Sequence, residues 1–345
     1  MKEKALALGS GLVIALILGE FLARLFELAP PQIRVEKWRM RLSENPEMVY
    51  EPIPNMSASS LDMQYYLYPD QSNNLGFRGE NPLSREAVDL RVIVLGDSVV
   101  AGIWVDSPEH LMTHILQEKL KNLFAHPEVL NFGVPGYNTA QEIAILKDRG
   151  ISLKPDIVIL GYCLNDETID NGGIVHHLKK EAEALGWSPR GWLEEKSKLL
   201  SSLNSLIYAN NVTGQNTGSQ SGSLQSAATQ QNSSLDSSLK SFEELSRKHE
   251  FLPVVAIFPD FEDMTSEGCA AGESLPAREK IIATCSSLGL TVFDLCEDFL
   301  SAQDQCLGKP LNYDRYHLNA NGQRSAADIL FKKIKTKVLK TKART

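Results

Sequence analysis

The chain has 345 residues, which allows one large domain or a domain with appendages. Hydrophobic residues make up 43% and charged residues 23%, so a sizeable core can form. The net charge of −8 argues against a general nucleic-acid-binding protein, and we expect no nucleic-acid partner.

The N-terminal residues 5–26 have the pattern of one apolar helix, without a charged side chain as far as Gly19. At 1.5 Å per residue this stretch is roughly 33 Å long, enough to cross a bilayer core. Lys2 and Lys4 precede it, which favours a cytoplasmic N-terminus. We therefore predict a single-pass signal anchor over 1–27, with the remainder periplasmic or extracellular. A cleaved signal peptide is the alternative, and it would also export the body of the protein.

A connector with an accessory segment is predicted over 28–87. This part of the chain is rich in turn formers, and a short helix is expected over 32–43. It contains the segment Asn-Leu-Gly-Phe-Arg-Gly at 74–79, just before the first regular strand pattern.

A regular alternation of strand and helix patterns occupies a predicted domain over 88–340. Five short runs rich in Val, Ile and Leu are predicted strands, at 91–95, 128–131, 156–161, 253–258 and 291–295. Helical patterns lie at 107–122, 138–149, 235–249, 276–288 and 319–337. This alternation predicts a parallel sheet covered by helices, and such sheets bind ligands at the carboxyl ends of their strands.

An insertion interrupts the alternation at 167–234. Residues 174–207 have a helical pattern, whereas 209–234 are rich in Ser, Gln, Asn and Gly and are predicted to be disordered. The insertion is either a lid over the site or a spacer that does not touch it.

Five cysteines fit an exported protein only loosely. Cys163 stands alone, and the other four fall close together, at Cys269, Cys285, Cys296 and Cys306. In an oxidising compartment those four could form two disulfides, with three possible pairings, or they could be ordinary thiols. Their spacing does not resemble a zinc site.

Residues suited to acyl chemistry follow the predicted strands. Ser98 lies just past the first strand, in Gly96-Asp97-Ser98, and Asp314 and His317 lie one helical turn apart. A serine nucleophile needs a base, and the base needs an orienting partner. Segments 131–138 and 161–166, after the second and third strands, could donate hydrogen bonds to an oxyanion.

Four sequence blocks in this order resemble the SGNH (GDSL-type) hydrolase family. They are Gly96-Asp97-Ser98, the glycine of 131–138, Asn165-Asp166 and Asp314-x-x-His317. The resemblance covers residues 90–337, which is most of the chain. The N-terminal helix and the segment at 74–79 are similar to a membrane-anchored bacterial branch of that family. The resemblance implies a three-layer α/β/α fold with a five-stranded parallel sheet, which is flavodoxin-like.

The resemblance also implies a role for each matching residue. Ser98 is the nucleophile, and its own N–H is one oxyanion donor. The Gly136 N–H and the Asn165 side-chain amide are the other donors. His317 is the general base and then the general acid, and Asp314 fixes its tautomer.

Four further positions in these blocks have a competing or supporting role, or depart from the family. Gly133 is the competing choice for the glycine donor of the second block. Asp97 and Asp166 are expected to hold turns. Cys163 stands where the family usually has glycine, two residues before the asparagine, which could reshape the pocket.

The function expected from these residues is that of an exported, membrane-tethered serine esterase. It would hydrolyse carboxylic esters with acetyl or short acyl groups, on envelope polysaccharide or lipid, without a metal or cofactor. One alternative is an O-acyltransferase acting on an exopolysaccharide with the same residues. The other is a non-catalytic SGNH-like module that binds glycans.

Overall fold

The structure is a computed structural model, in which the chain forms two compact units. It describes residues 2–25, 34–35, 40–43, 45, 47–48, 50–56, 71–164, 197, 199–200, 225–264, 268–269, 274–305 and 310–342. One unit comprises Met1–Val35, Met40–Tyr50 and Asn171–Ser223, and the other comprises the remaining residues. Apart from residues 197, 199 and 200, the helical pattern predicted at 174–207 lies outside the described residues.

The described part of the first unit includes a helix and two short strands. Helix α1 is Lys2–Leu25, and strands β1 (Arg34–Val35) and β2 (Met40–Leu42) pair antiparallel. The helix predicted over 32–43 is therefore wrong, because the chain reverses direction there. The Glu20 carboxylate accepts hydrogen bonds from the Ser197 hydroxyl and the Leu199 N–H, at 2.7 and 3.0 Å.

The predicted membrane-spanning helix is not found. Among the residues that the structure describes, no helix combines the length and the apolar character needed to cross a membrane.

The second unit is built on the predicted sheet. After β3 (Tyr50–Pro52), the strands are β4 (Leu90–Gly96), β5 (Pro127–Gly133), β6 (Ile157–Tyr162), β7 (Leu252–Ile257) and β8 (Thr291–Asp294). The last five form one parallel sheet in the order β5-β4-β6-β7-β8. The five-stranded parallel sheet is thus confirmed. Strand order reverses at β4, and such a switch point opens a crevice at the carboxyl ends of the strands.

Helices cover both faces of this sheet. They are α2 (Ser98–Ala101), α3 (Met112–Leu120), α4 (Thr139–Ile145), α5 (Gln225–His249), α6 (Leu275–Ser287), α7 (Cys296–Gln305) and α8 (Ala320–Lys342). Side chains of α3, α7 and α8 pack in one core with Val92 and Val94 of β4. On the other face α4 packs against β4, β6 and α5. The three-layer α/β/α arrangement follows from these contacts.

Helix α5 differs from the prediction at its start. It begins at Gln225, earlier than the predicted start at 235 and inside the stretch 209–234 predicted to be disordered. Gln and Ala are frequent at 225–231 and have high helix propensity. The prediction of disorder was based on low hydrophobicity and did not include this propensity.

A buried ion pair closes the amino-terminal end of the sheet, away from the crevice. The Arg91 guanidinium on β4 donates to the Glu128 carboxylate on β5 at 2.5 Å, and the two side chains are 1% and 6% exposed. Arg91 also donates to the carbonyls of Leu153 and Leu83, and Glu128 accepts the Leu83 N–H. Removing one partner would leave the other charge buried without compensation.

We expect Glu128→Gln to lower the free energy of unfolding by about 3–5 kcal/mol. The control is Glu118→Gln, which breaks an exposed pair with Lys121 and should cost about 1 kcal/mol or less. Denaturant unfolding of both variants measures the difference. Equal small losses would show that the buried network contributes no more than a surface pair.

One disulfide joins Cys269 to Cys296 at the start of α7, across 27 residues of sequence. Cys285 is a buried free thiol, and burial raises its pKa to about 12, so it stays protonated at neutral pH. Of the four clustered cysteines, Cys306 lies outside the described residues. The structure thus contains one bond of the two that were considered, Cys269–Cys296, and leaves Cys285 without one.

Closing a loop of this length is expected to stabilise the fold by about 3–4 kcal/mol, mainly by restricting the unfolded chain. The double variant Cys269→Ser/Cys296→Ser should lose that stability in denaturant unfolding and should no longer respond to dithiothreitol. Wild-type protein should fall to the level of the variant once it is reduced. If reduction leaves wild-type stability unchanged, the bond does not contribute as described.

Candidate active site

Three glycines at the ends of neighbouring strands form the floor of the site. Gly96 of β4 lies in register with Gly133 of β5 and Gly161 of β6. A Cβ on Gly133 would lie 2.1 Å from the backbone nitrogen of Ala101, and a Cβ on Gly96 or Gly161 would lie 2.2 or 2.7 Å from a methyl of Val100. Only residues without a side chain let the short helix α2 rest directly on the strand ends.

Three buried side chains then hold the carbonyl end of α2. The Gln323 amide from α8 donates to Val99 O at 3.0 Å, and the Asn131 amide from β5 donates to Val100 O at 2.8 Å. The Arg78 guanidinium donates to Gly102 O at 2.6 Å. A one-turn helix cannot satisfy these carbonyls internally, so the three side chains stabilise it.

Sequence reasoning assigned no such role to Arg78 or Gln323, because their contacts span many residues of sequence. The sequence does contain one signal for Arg78, because a charged side chain stands within the turn-rich segment at 74–79. Phe77 of the same segment stacks on Phe132 of β5, with ring centroids 4.1 Å apart. The segment predicted as a connector therefore packs as part of the second unit.

Ser98 is the first residue of α2 and is 9% exposed. Asp97 caps this helix, because its carboxylate accepts the Val99 N–H at 2.8 Å. The expectation that Asp97 holds a turn fits this contact. The buried Cys163 thiol lies 3.5 Å from the same carboxylate, so the residue that replaces the family's glycine contacts the turn that carries Ser98.

The structure brings Ser98, His317 and Asp314 together. Ser98 Oγ lies 2.9 Å from His317 Nε2, across 219 residues of sequence. His317 Nδ1 lies 2.7 Å from Asp314 Oδ2. A carboxylate only accepts hydrogen bonds, so Nδ1 carries the proton and Nε2 is left as an acceptor for the serine hydroxyl.

The Asp314 carboxyl stays ionised through its local contacts. Partial burial opposes ionisation, but hydrogen bonds from the backbone N–H and side chain of His317 and the Tyr316 N–H outweigh it, so the pKa of Asp314 is lowered. The loop is anchored by Arg315, whose guanidinium donates to the buried Asp260 carboxylate at 2.7 Å. This contact joins the loop that carries Asp314 and His317 to the segment that follows β7.

The two candidate glycines of the second block, Gly133 and Gly136, have different surroundings in the structure. The Gly133 N–H donates to the Asn131 side chain at 2.9 Å, so it is already occupied. Gly136 is exposed, has φ +77°, and its N–H has no hydrogen-bond partner among the described residues. Asn165 and Asp166 lie outside the described residues.

An exposed aromatic pair borders His317, and sequence reasoning had given it no role. Trp104 is 47% exposed, and its ring contacts the imidazole edge-on, with centroids 4.8 Å apart. Tyr313 is 50% exposed, and its ring centroid lies 6.0 Å from that of Trp104.

Solved structures that resemble the chain include an acetyl xylan esterase (18% identity, TM-score 0.42), covering 71% of this chain and all of that one. A lipase/acylhydrolase from Enterococcus faecalis has 13% identity, TM-score 0.41 and coverage of 72% and 96%. A psychrotrophic esterase from Pseudoalteromonas sp. has 12% identity, TM-score 0.41 and coverage of 72% and 99%.

No curated protein matches the sequence. The sequence does match the model of the GDSL-like lipase/acylhydrolase family over residues 94–325, which is more than half of its length. The matched range begins in strand β4, just before Ser98, and ends in helix α8, beyond His317. The chain therefore belongs to the GDSL-like lipase/acylhydrolase family and is an ester-bond hydrolase.

Proposed function

We propose that the chain is a serine esterase in which Ser98 is the nucleophile, His317 the general base and acid, and Asp314 the group that orients His317. The observation that carries the proposal is the hydrogen-bonded series from Ser98 Oγ to His317 Nε2 and from His317 Nδ1 to Asp314. A serine hydroxyl is a weak nucleophile at neutral pH, and such a series is what activates it.

The reaction proceeds in two halves with the same groups. Ser98 Oγ forms a bond to the ester carbonyl carbon while its proton passes to His317 Nε2. The tetrahedral intermediate then expels the alcohol, which takes that proton, and leaves an acyl group on Ser98. A water molecule attacks the acyl group in the same way, releases the acid and restores the serine hydroxyl.

Oxyanion stabilisation comes from hydrogen-bond donors near the carbonyl oxygen. The Ser98 N–H begins α2, where the first N–H groups of a helix have no acceptor within the helix. The Gly136 N–H and the Asn165 amide are the proposed second and third donors. The occupied N–H of Gly133 supports the choice of Gly136.

The proposed substrates are carboxylic esters with acetyl or short acyl groups, and the proposed place of action is outside the cytoplasm. The Cys269–Cys296 disulfide supports the location, because disulfides persist in oxidising compartments.

The test is a series of ethyl esters from acetate to decanoate, assayed with wild type and with Ser98→Ala. We expect turnover of the short esters by wild type and its loss in the variant. Full activity of the variant on ethyl acetate would reject the proposed nucleophile. Turnover of the decanoate alone would reject the short acyl group.

A further inference from the structure

We propose that Trp104 and Tyr313 form a subsite that binds a pyranose ring of the ester's alcohol, which makes O-acylated sugars the substrate class. This inference rests on the proposed function, since it places the leaving alcohol beside His317. The two aromatic residues are called the aromatic subsite below.

The conformation of Trp104 is the first observation. Its φ is +64°, a left-handed conformation that is costly for a bulky residue and is retained where surrounding structure imposes it. The neighbours Ile103 and Val105 are buried, and the Arg78 guanidinium holds the Val105 carbonyl at 3.0 Å. The loop is thereby fixed with the Trp104 ring on the surface, although burying the ring would stabilise the fold more.

The position of the ring is the second observation. Trp104 contacts His317, the group that returns its proton to the leaving alcohol. The carbon skeleton of the alcohol must lie next to the imidazole at that moment. The aromatic subsite therefore adjoins the alcohol and not the acyl group, and Tyr313 extends it while its hydroxyl donates to the Trp104 carbonyl at 3.2 Å.

The openness of the subsite selects the chemical class of the alcohol. Both residues are about half exposed, so a bound group keeps one side in water. A long alkyl chain needs a closed apolar pocket to lose its hydration. A pyranose has a face of C–H groups that packs on an aromatic ring while its hydroxyls remain solvated. Such a group matches Trp104 and Tyr313, because each of these side chains combines apolar surface with contact to solvent.

The kinetic test compares two substrates, monoacetylated xylotetraose and ethyl acetate, in wild type, Trp104→Gly, Trp104→Phe and Tyr313→Phe. We expect Trp104→Gly to lower the ratio of the two kcat/KM values, tetraose over ethyl acetate, by about tenfold. Trp104→Phe and Tyr313→Phe, which keep a ring, should hold that ratio within about threefold of wild type. An unchanged ratio in Trp104→Gly would overturn the subsite.

A different result is expected if the Trp104 ring only stabilises the fold. Glycine relieves the strain at φ +64°, so the subsite account expects thermal unfolding of Trp104→Gly near that of wild type. Earlier unfolding, with equal losses on both substrates, would show that the ring only packs.

A binding experiment separates this inference from the proposed function. Calorimetry of unacetylated xylotetraose with Ser98→Ala and with Ser98→Ala/Trp104→Gly should show a Kd about tenfold higher in the double variant. If Ser98→Ala keeps its esterase activity, the proposed nucleophile fails while the binding result still tests the subsite. Equal Kd values, or displacement of the tetraose by 1-octanol, would overturn the sugar assignment.

Discussion

Replacing Ser98 by alanine is expected to lower kcat on ethyl acetate by about 10⁴- to 10⁶-fold, because the variant lacks the hydroxyl that forms the proposed acyl-enzyme. The binding groups and oxyanion donors remain in this variant, so KM should change far less than kcat. The side chain is small, and the helix it begins is held by Asn131, Gln323 and Arg78, so the fold should be retained.

Ser301→Ala is the control for this variant. Ser301 is an exposed residue of α7 and has no part in the proposed chemistry, so its replacement should leave activity within about twofold of wild type. A Ser98→Ala protein that unfolds like wild type and retains activity would contradict the proposed nucleophile.

Asp314→Asn is expected to lower kcat by about 10⁴-fold with little change in fold. The asparagine amide can donate to Nδ1 and thereby favour the tautomer with the proton on Nε2, which cannot accept the proton of Ser98. The imidazolium formed during the reaction also loses the carboxylate that stabilises it.

The chain offers a matched control in Asp106→Asn. Asp106 accepts a hydrogen bond from His110 Nδ1 at 2.8 Å, in an exposed pair with the same chemistry. This variant should keep activity within about twofold, because the pair does not reach Ser98. If both variants lose activity equally, or neither does, Asp314 does not orient the base.

The lowered pKa of Asp314 also predicts that the stability of the fold depends on pH. The pKa of Asp314 is lowered in the folded protein, so its ionised form stabilises the fold above the unfolded value of about 4. That contribution is lost as pH falls through the lowered pKa. The gap in unfolding free energy between wild type and Asp314→Asn should therefore be constant near pH 7 and should narrow below about pH 4. A gap that widens in acid would contradict the assigned direction of the shift.

Local sequence patterns were sufficient for the sheet and for much of the site. The runs of Val, Ile and Leu predict all five strands to within about two residues, because strands buried on both faces need such runs. Gly96-Asp97-Ser98 and Asp314-x-x-His317 point to a serine and a base because each is a short local motif.

Long-range contacts account for what the sequence did not predict. Arg78 and Gln323 stabilise α2 through hydrogen bonds between residues that are 24 and 224 positions apart in sequence. No local sequence pattern encodes such contacts. The antiparallel strands β1 and β2 replace a predicted helix because their pairing depends on a reversal of the chain. The positive φ of Trp104 is likewise set by its buried neighbours.

The most direct test of the central claim is covalent labelling of the nucleophile. An alkyl phosphonate ester probe should add one phosphonyl group per chain in wild type, and peptide mapping should locate it on Ser98. Asp314→Asn should label much more slowly, and Ser98→Ala should not label. Equal labelling of Ser98→Ala, or a label mapped to another serine in wild type, would contradict the account.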